Sequence, residues 1–248
     1  MKKILLISLA AILLLVAGVL GYLYFSLNTL LKKAVETVGP RITKTTVILS
    51  SANLSPFSGS GRLNGFLVGN PEGFKGPFAL KLGRVEVNVN KEALLADTIV
   101  VNSILIRNPE ILLEGTLTGN NLSKLLKNIE SNTASSPSKE KKGTPESKSS
   151  SKKFIVKEVV ISGTKLHLAA SALGQNVEQT LPLPEIRLHN LGSGGSGISA
   201  SDVTQQILTP LINEAIKEGL NTLAKQGVKQ LQGQGLKELN KALPGLFK

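Results

Sequence analysis

The side chains best able to do chemistry in this 248-residue chain are two histidines and a scatter of carboxylates, because it contains no cysteine. Thiol catalysis, disulfides and Cys-type zinc sites are therefore excluded. His167 and His189 sit in alternating stretches whose apolar positions are Leu166, Leu168, Ile186 and Leu188. Both imidazoles thus fall on the polar faces of their strands. Two histidines on neighbouring strands can hold a metal ion, yet no acids flank them at ligand spacing. Solvent-facing histidines are the expectation. The chain also has no G-x-S-x-G, no phosphate-cradling P-loop and no H-E-x-x-H. Neither an enzyme nor a cofactor is expected.

Charge narrows the partners further. Against 17 acidic residues stand 29 basic ones, a net charge of +12. Such an excess suits nucleic acid, an anionic membrane surface or plain solubility. Aromatics make up only 4% and tryptophan is absent, so there is no basic segment with interleaved rings for bases to stack on. Nucleic acid is not an expected partner.

The start of the chain carries an address. Lys2 and Lys3 precede an apolar run from Ile4 to Phe25. At about 1.5 Å per residue this run spans roughly 33 Å, enough for a bilayer core of about 30 Å. It is too long for a signal peptide, and the bulky Tyr22, Leu23, Tyr24 and Phe25 stand where a small-x-small cleavage site would lie. The expectation is an uncleaved anchor over residues 1–27. Lys2 and Lys3 place the amino terminus in the cytoplasm, although Lys32 and Lys33 follow the other end. Leu27, Leu30, Leu31, Ala34, Val35 and Val38 then recur at helical spacing until Gly39-Pro40. That helix is either a stalk or a first element packed on a sheet.

Strand signals dominate the body. Residues 43–50 are rich in β-branched side chains, 62–68 form a second run, and Val85, Val87 and Val89 alternate with polar residues. Residues 99–107 and 111–113 are almost continuously apolar, which calls for cover on both faces or a concave face that holds something greasy. Asn70-Pro71 and Asn108-Pro109 mark corners. VVNSILIRNPEILL, from Val100, aligns with IVKEVVISGTKLHL, from Ile155, at an offset of 55. This reads as a hairpin-like unit present twice. Generic alternation can mimic such a match. The candidate groove-lining residues are Ile104, Ile106, Ile111, Leu113, Val160, Leu166 and Leu168.

Between the copies, residues 121–130 show a helical stripe, and 131–153 is a Ser/Lys-rich linker with almost no apolar residues, expected to be disordered. From Ser201 the period becomes helical again, with Ser199 and Asp202 spaced as a capping box. Pro210 should kink or restart this segment, and Gly219, Gly227, Gly233 and Gly235 should weaken it. The C-terminal helices either cap the sheet or lie on a membrane surface.

The runs GSGRLNGFLVGNPEGF, VEVNVNKEALLADTIVVNSILIRNPEILLE and NNLSKLLKNIE resemble the N-terminal region of the AsmA family. The sharpest words are NPEGF, from Asn70 to Phe74, and NNLSKLL, from Asn120 to Leu126. The likeness covers the anchor and residues 43–130, and more weakly 154–191. It implies a bacterial inner-membrane protein with a single span and its bulk in the periplasm, taking part in envelope or outer-membrane biogenesis. It also implies kinship with repeated β-grooves that transport lipid between membranes. Members are commonly much longer.

Together these readings predict an α+β, mainly β fold. Its parts are the anchor, a curved antiparallel groove-like sheet and C-terminal amphipathic helices. The divisions are 1–27 anchor, 28–130 β-rich module, 131–153 linker, 154–198 continuation of the sheet and 199–248 helical segment. Seven or eight strands would make a groove of roughly 35 Å, too short to bridge two membranes. Membrane lipids are the expected partners, with other envelope proteins as a second class. The competing reading is an anchored β-module that docks a protein and carries no lipid.

Overall fold

The computed structural model describes residues 21, 26–94, 96–116, 119–133, 152–172 and 175–242. The expected span from Ile4 to Phe25 lies, apart from Gly21, outside the described residues, as do residues 134–151 of the expected linker, while its ends belong to a helix (131–133) and a strand (Lys153). No helix among the described residues is long and apolar enough to cross a membrane.

Nine strands form one sheet: β1 (Val47–Ser55), β2 (Ser60–Val68), β3 (Leu80–Val89), β4 (Thr98–Arg107), β5 (Glu110–Thr116), β6 (Lys153–Ser162), β7 (Lys165–Ala172), β8 (Gln175–Pro182) and β9 (Ile186–Leu191). Among the described residues three α-helices accompany them: α1 (26–43), α2 (Asn121–Thr133) and α3 (Ala200–Ala242). The strands occupy six lanes. β1, β2 and β3 each fill one, while β4–β5, β6–β7 and β8–β9 are single lanes broken at a corner, because one register runs through both arms. Six lanes spaced about 4.8 Å apart set the outer two roughly 24 Å from each other. β1 and the β8–β9 lane do not pair, so the sheet is open.

The sheet is mixed, which corrects the antiparallel expectation. β4 runs parallel to β6, and β5 parallel to β7. Their registers, Val100 opposite Ile155 and Ile111 opposite Leu166, carry the 55-residue offset of the sequence repeat. The two copies lie side by side, pointing the same way. A parallel pair needs a crossover of a dozen or more residues, usually helical. α2 and the residues after it supply one.

A line of corners crosses the lanes. Continued through their gaps, the registers bring Ser50, Gly65, Gly83, Asn108, Gly163 and Pro184 level with one another. Gly65, Asn108 and Gly163 have φ of 62°, 51° and 69°, a left-handed conformation that glycine takes at little cost and asparagine tolerates. On either side of the line the buried residues step by an odd number: Leu49 to Ala52, Leu82 to Val85, Ile106 to Ile111, Ile161 to Leu166. At this line one residue per lane drops out of the alternation, and the same face of the sheet stays apolar across it.

That face is the core. α3 lies across β5, β6, β7 and β9 and packs on α2, burying Leu211, Ile212, Ala215 and Leu223 with Leu122, Leu125 and Ile129. Ser199 and Asp202 cap α3 reciprocally, with Asp202 N–H donating to Ser199 Oγ at 3.1 Å and Ser199 N–H to Asp202 Oδ2 at 3.1 Å. The helix runs on through Pro210, so one helix stands where several were expected.

The NPEGF and NNLSKLL words meet in one hydrogen-bond network. Asn121, fully buried, accepts from Glu114 N–H at 2.8 Å and donates to the Leu112 carbonyl at 2.8 Å and to Asn70 Oδ1 at 2.7 Å. The Glu114 carboxylate accepts from Asn70 Nδ2 and from the N–H groups of Lys75 and Gly76. Asn120 caps α2 through Ser123 N–H at 2.8 Å. The start of the crossover helix is thus bolted to β5 and to the β2–β3 connection. Asn121→Ala leaves three polar groups without this partner and should destabilise the full chain by about 3 kcal/mol. Urea unfolding followed by circular dichroism reads this. Ser123→Ala, exposed on the same turn, should stay within about 0.5 kcal/mol.

Candidate apolar ligand site

The structure brings six of the seven candidate groove residues onto one face of the sheet. Ile106, Ile111, Leu113, Leu166 and Leu168 are buried core, and Ile104 packs against them. Val160 alternates with the buried Val159 and Ile161, so it faces the other way. There it lines a more polar pocket with Arg107, Glu158 and Arg187. The five buried ones are covered by the chain itself, and Ile104 is half-buried. A Cβ on Gly219 of α3 would come within 2.8 Å of Leu113 Cδ1 and 3.2 Å of Leu168 Cδ2. The glycine read as a weak point lets the helix backbone press onto the sheet, and α3 fills the trough that these strands were expected to form.

The vacant apolar space lies under α1 instead. Among the described residues β1 pairs only with β2, which leaves the other side of β1 as a bare edge. α1 covers it. Asn28 Oδ1 accepts from Leu54 N–H at 2.8 Å, Glu36 Oε1 accepts from Leu49 N–H at 3.1 Å, and Lys32 Nζ donates to the Leu49 carbonyl. Lys32 and Glu36 also pair at 2.9 Å. These three residues are four apart, on one helix stripe. The Lys32 hydrogen bond, then the Leu49 amide, hold the Glu36 carboxyl below its ordinary pKa. The four-residue spacing was visible in the sequence, but nothing there said that the polar stripe would meet strand backbone.

The apolar stripe of α1 bridges toward the sheet without filling the gap. One cavity of about 370 Å³ lies between Leu27 and Leu31 of α1 and Leu54, Leu63, Val87 and Leu94 of the body. A second, of about 270 Å³, lies between Leu31, Val35, Val38 and Ile42 and the residues Phe66, Val68 and Leu208. Leu31 borders both. Their walls are almost entirely apolar, so they suit hydrocarbon and offer nothing to a polar substrate. Leu27 stands at the mouth and is 38% exposed.

The histidines do not join this site. His189 is exposed, and His167 Nδ1 lies 3.0 Å from Thr180 Oγ1 on the polar face. Its Nε2 is 3.5 Å from the Glu110 carboxylate without hydrogen-bond geometry. No group of three or more potential metal ligands occurs among the described residues.

The Glu36 contact makes the seat of α1 pH-dependent. A carboxyl whose folded pKa is depressed stabilises above its unfolded pKa and loses that contribution as the pH falls through the folded value. Exchange protection of the Leu49 amide, corrected for its intrinsic rate, should therefore drop as the pH falls below the ordinary carboxylate range. In Glu36→Gln this step should be absent.

Neither a curated protein nor a solved structure matches the chain. The family model described as "AsmA family" matches residues 1–204. This match takes in α1, the whole sheet, the crossover helix and the start of α3. The chain belongs to the AsmA family, an envelope family.

Proposed function

We propose that this protein is a single-pass envelope protein of the bacterial inner membrane. Ile4 to Phe25 forms its anchor, with the amino terminus in the cytoplasm and the body in the periplasm. The body binds and shields a lipid acyl chain in the cleft between α1 and strands β1 to β3, performs no covalent chemistry and serves lipid handling in envelope biogenesis. One observation carries the reading: the apolar cleft opens at Leu27, two residues after the apolar run ends. A chain leaving the bilayer at the foot of α1 would enter hydrocarbon surroundings without crossing water. The cavity of about 370 Å³ is of the size that holds small ligands, the one of about 270 Å³ adjoins it at Leu31, and the walls of both are almost wholly apolar. With its outer lanes roughly 24 Å apart, the sheet cannot bridge two membranes. This supports shielding beside one membrane, or one segment of a larger assembly.

Full chain extracted in mild detergent should carry phospholipid detectable by mass spectrometry. Leu27→Asp puts a charge at the cleft mouth and should lower bound lipid by about tenfold or more, with the unfolding midpoint unchanged. Ile111→Asp places a charge at a fully buried position and should unfold the body instead. A folded, lipid-free wild-type chain would overturn the reading in favour of a module that docks a protein partner.

A further inference from the structure

The β1–β2 turn carries the most exposed large hydrophobic side chain described, Phe57, at 77% exposure. An exposed phenylalanine on a mobile loop would mean little. This turn is braced. Ser58 Oγ bonds the Ser55 carbonyl at 3.3 Å and Ser60 Oγ at 2.7 Å, and Val89 N–H donates to the Gly59 carbonyl at 2.7 Å. Gly59 has φ of 66°, and a Cβ there would strike the Val89 carbonyl. Pro56 fixes its own φ. The turn holds the ring out in water by construction.

The position of the ring supplies the partner. Pro56 and Gly59, on either side of it, line the same cavity as Leu27 and Leu31 of α1 and Leu94. α1 runs antiparallel to β1, since Asn28 meets Leu54 while Glu36 meets Leu49. Its first residues therefore lie at the turn end of the sheet. Leu30, 60% exposed, adds a second apolar side chain close by. The loops at this end carry Lys91 and Lys152 against Glu92 and Asp97, so their charges balance. Exposed apolar side chains at the end of the sheet where α1 begins match the acyl region of a bilayer.

We propose that the β1–β2 turn is a second membrane contact, with Phe57 inserted among the acyl chains of the bilayer that holds the anchor. The contact would press the cleft mouth at Leu27 onto the lipid surface, fixing the tilt of the body as well as its tether. This rests on the anchored reading, and the experiment separates the two.

The chain contains no tryptophan, so Phe57→Trp gives a single reporter. The full-length variant is reconstituted into vesicles of phosphatidylethanolamine and phosphatidylglycerol, with and without brominated acyl chains, and washed in alkaline carbonate. Glu72→Trp, on the exposed connection at the opposite end of β2 and β3, is the comparison. The expected result for Phe57→Trp is blue-shifted indole emission that loses most of its intensity in brominated vesicles. For Glu72→Trp the emission should be red-shifted and unquenched. Red-shifted, unquenched emission from Phe57→Trp, in protein that stays with the vesicles, would overturn the turn contact and leave the anchor standing. Protein stripped from the vesicles by carbonate would overturn both.

Discussion

Once one lane omits a residue from its alternation, the other five must omit one at the same level if the six are to present one continuous apolar face. In a strand, shifting the alternation by one residue sends every later side chain to the opposite face. Here the omission recurs in register at Ser50, Gly65, Gly83, Asn108, Gly163 and Pro184. Were one lane to lack it, half of that lane would turn its leucines to water and its lysines to the core. The line is held from both sides of the repeat. Asn108 N–H donates to the Ser162 carbonyl at 2.8 Å, and Leu183 N–H to the Thr164 carbonyl at 3.0 Å. Because all lanes turn together, α2 and α3 find one apolar surface to cover, and the helices can be few.

Much of this was legible, though not in its final form. The 55-residue repeat held the parallel register, yet alternation alone carries no direction, and an antiparallel sheet was expected. The missing signal stood beside it: residues 121–130 read as a helix between the copies, and a helix between like strands is what a parallel crossover requires. The polar pairs Asn102-Ser103 and Lys157-Glu158 of the repeat align in neighbouring lanes, and each marks a second change of buried parity, from Val101 to Ile106 and from Val156 to Val159. The words NPEGF and NNLSKLL stood out by resemblance alone. Their physical content, the Asn70–Glu114–Asn121 network, depends on contacts 44 and 51 residues apart in sequence, which no local pattern encodes.

The apolar strands were legible as apolar, but not as core or cleft. Ile111 and Leu166 would look the same under a lipid or under a helix. What decides is Gly219, which brings the α3 backbone close enough to leave no room. A glycine inside a helix costs about 1 kcal/mol relative to alanine by propensity. At this position the close approach offsets that cost with packing on Leu113 and Leu168.

The vacancy sits at the β1 edge for a related reason. The 43-residue α3 lies on the face of the sheet from β5 out to β9. α1 has two tasks. Its Asn28, Lys32 and Glu36 stripe is committed to the backbone groups of β1, which as a bare edge would otherwise invite pairing with another chain. A helix held beside an edge by one stripe cannot also lie flat across the neighbouring lanes. Its apolar stripe therefore overhangs β1 to β3 at a distance, and Leu31, Leu63, Phe66 and Val87 are left facing a gap. A wider contact there would pull the polar stripe off the strand, so the edge cap and the cleft are two results of one geometric compromise.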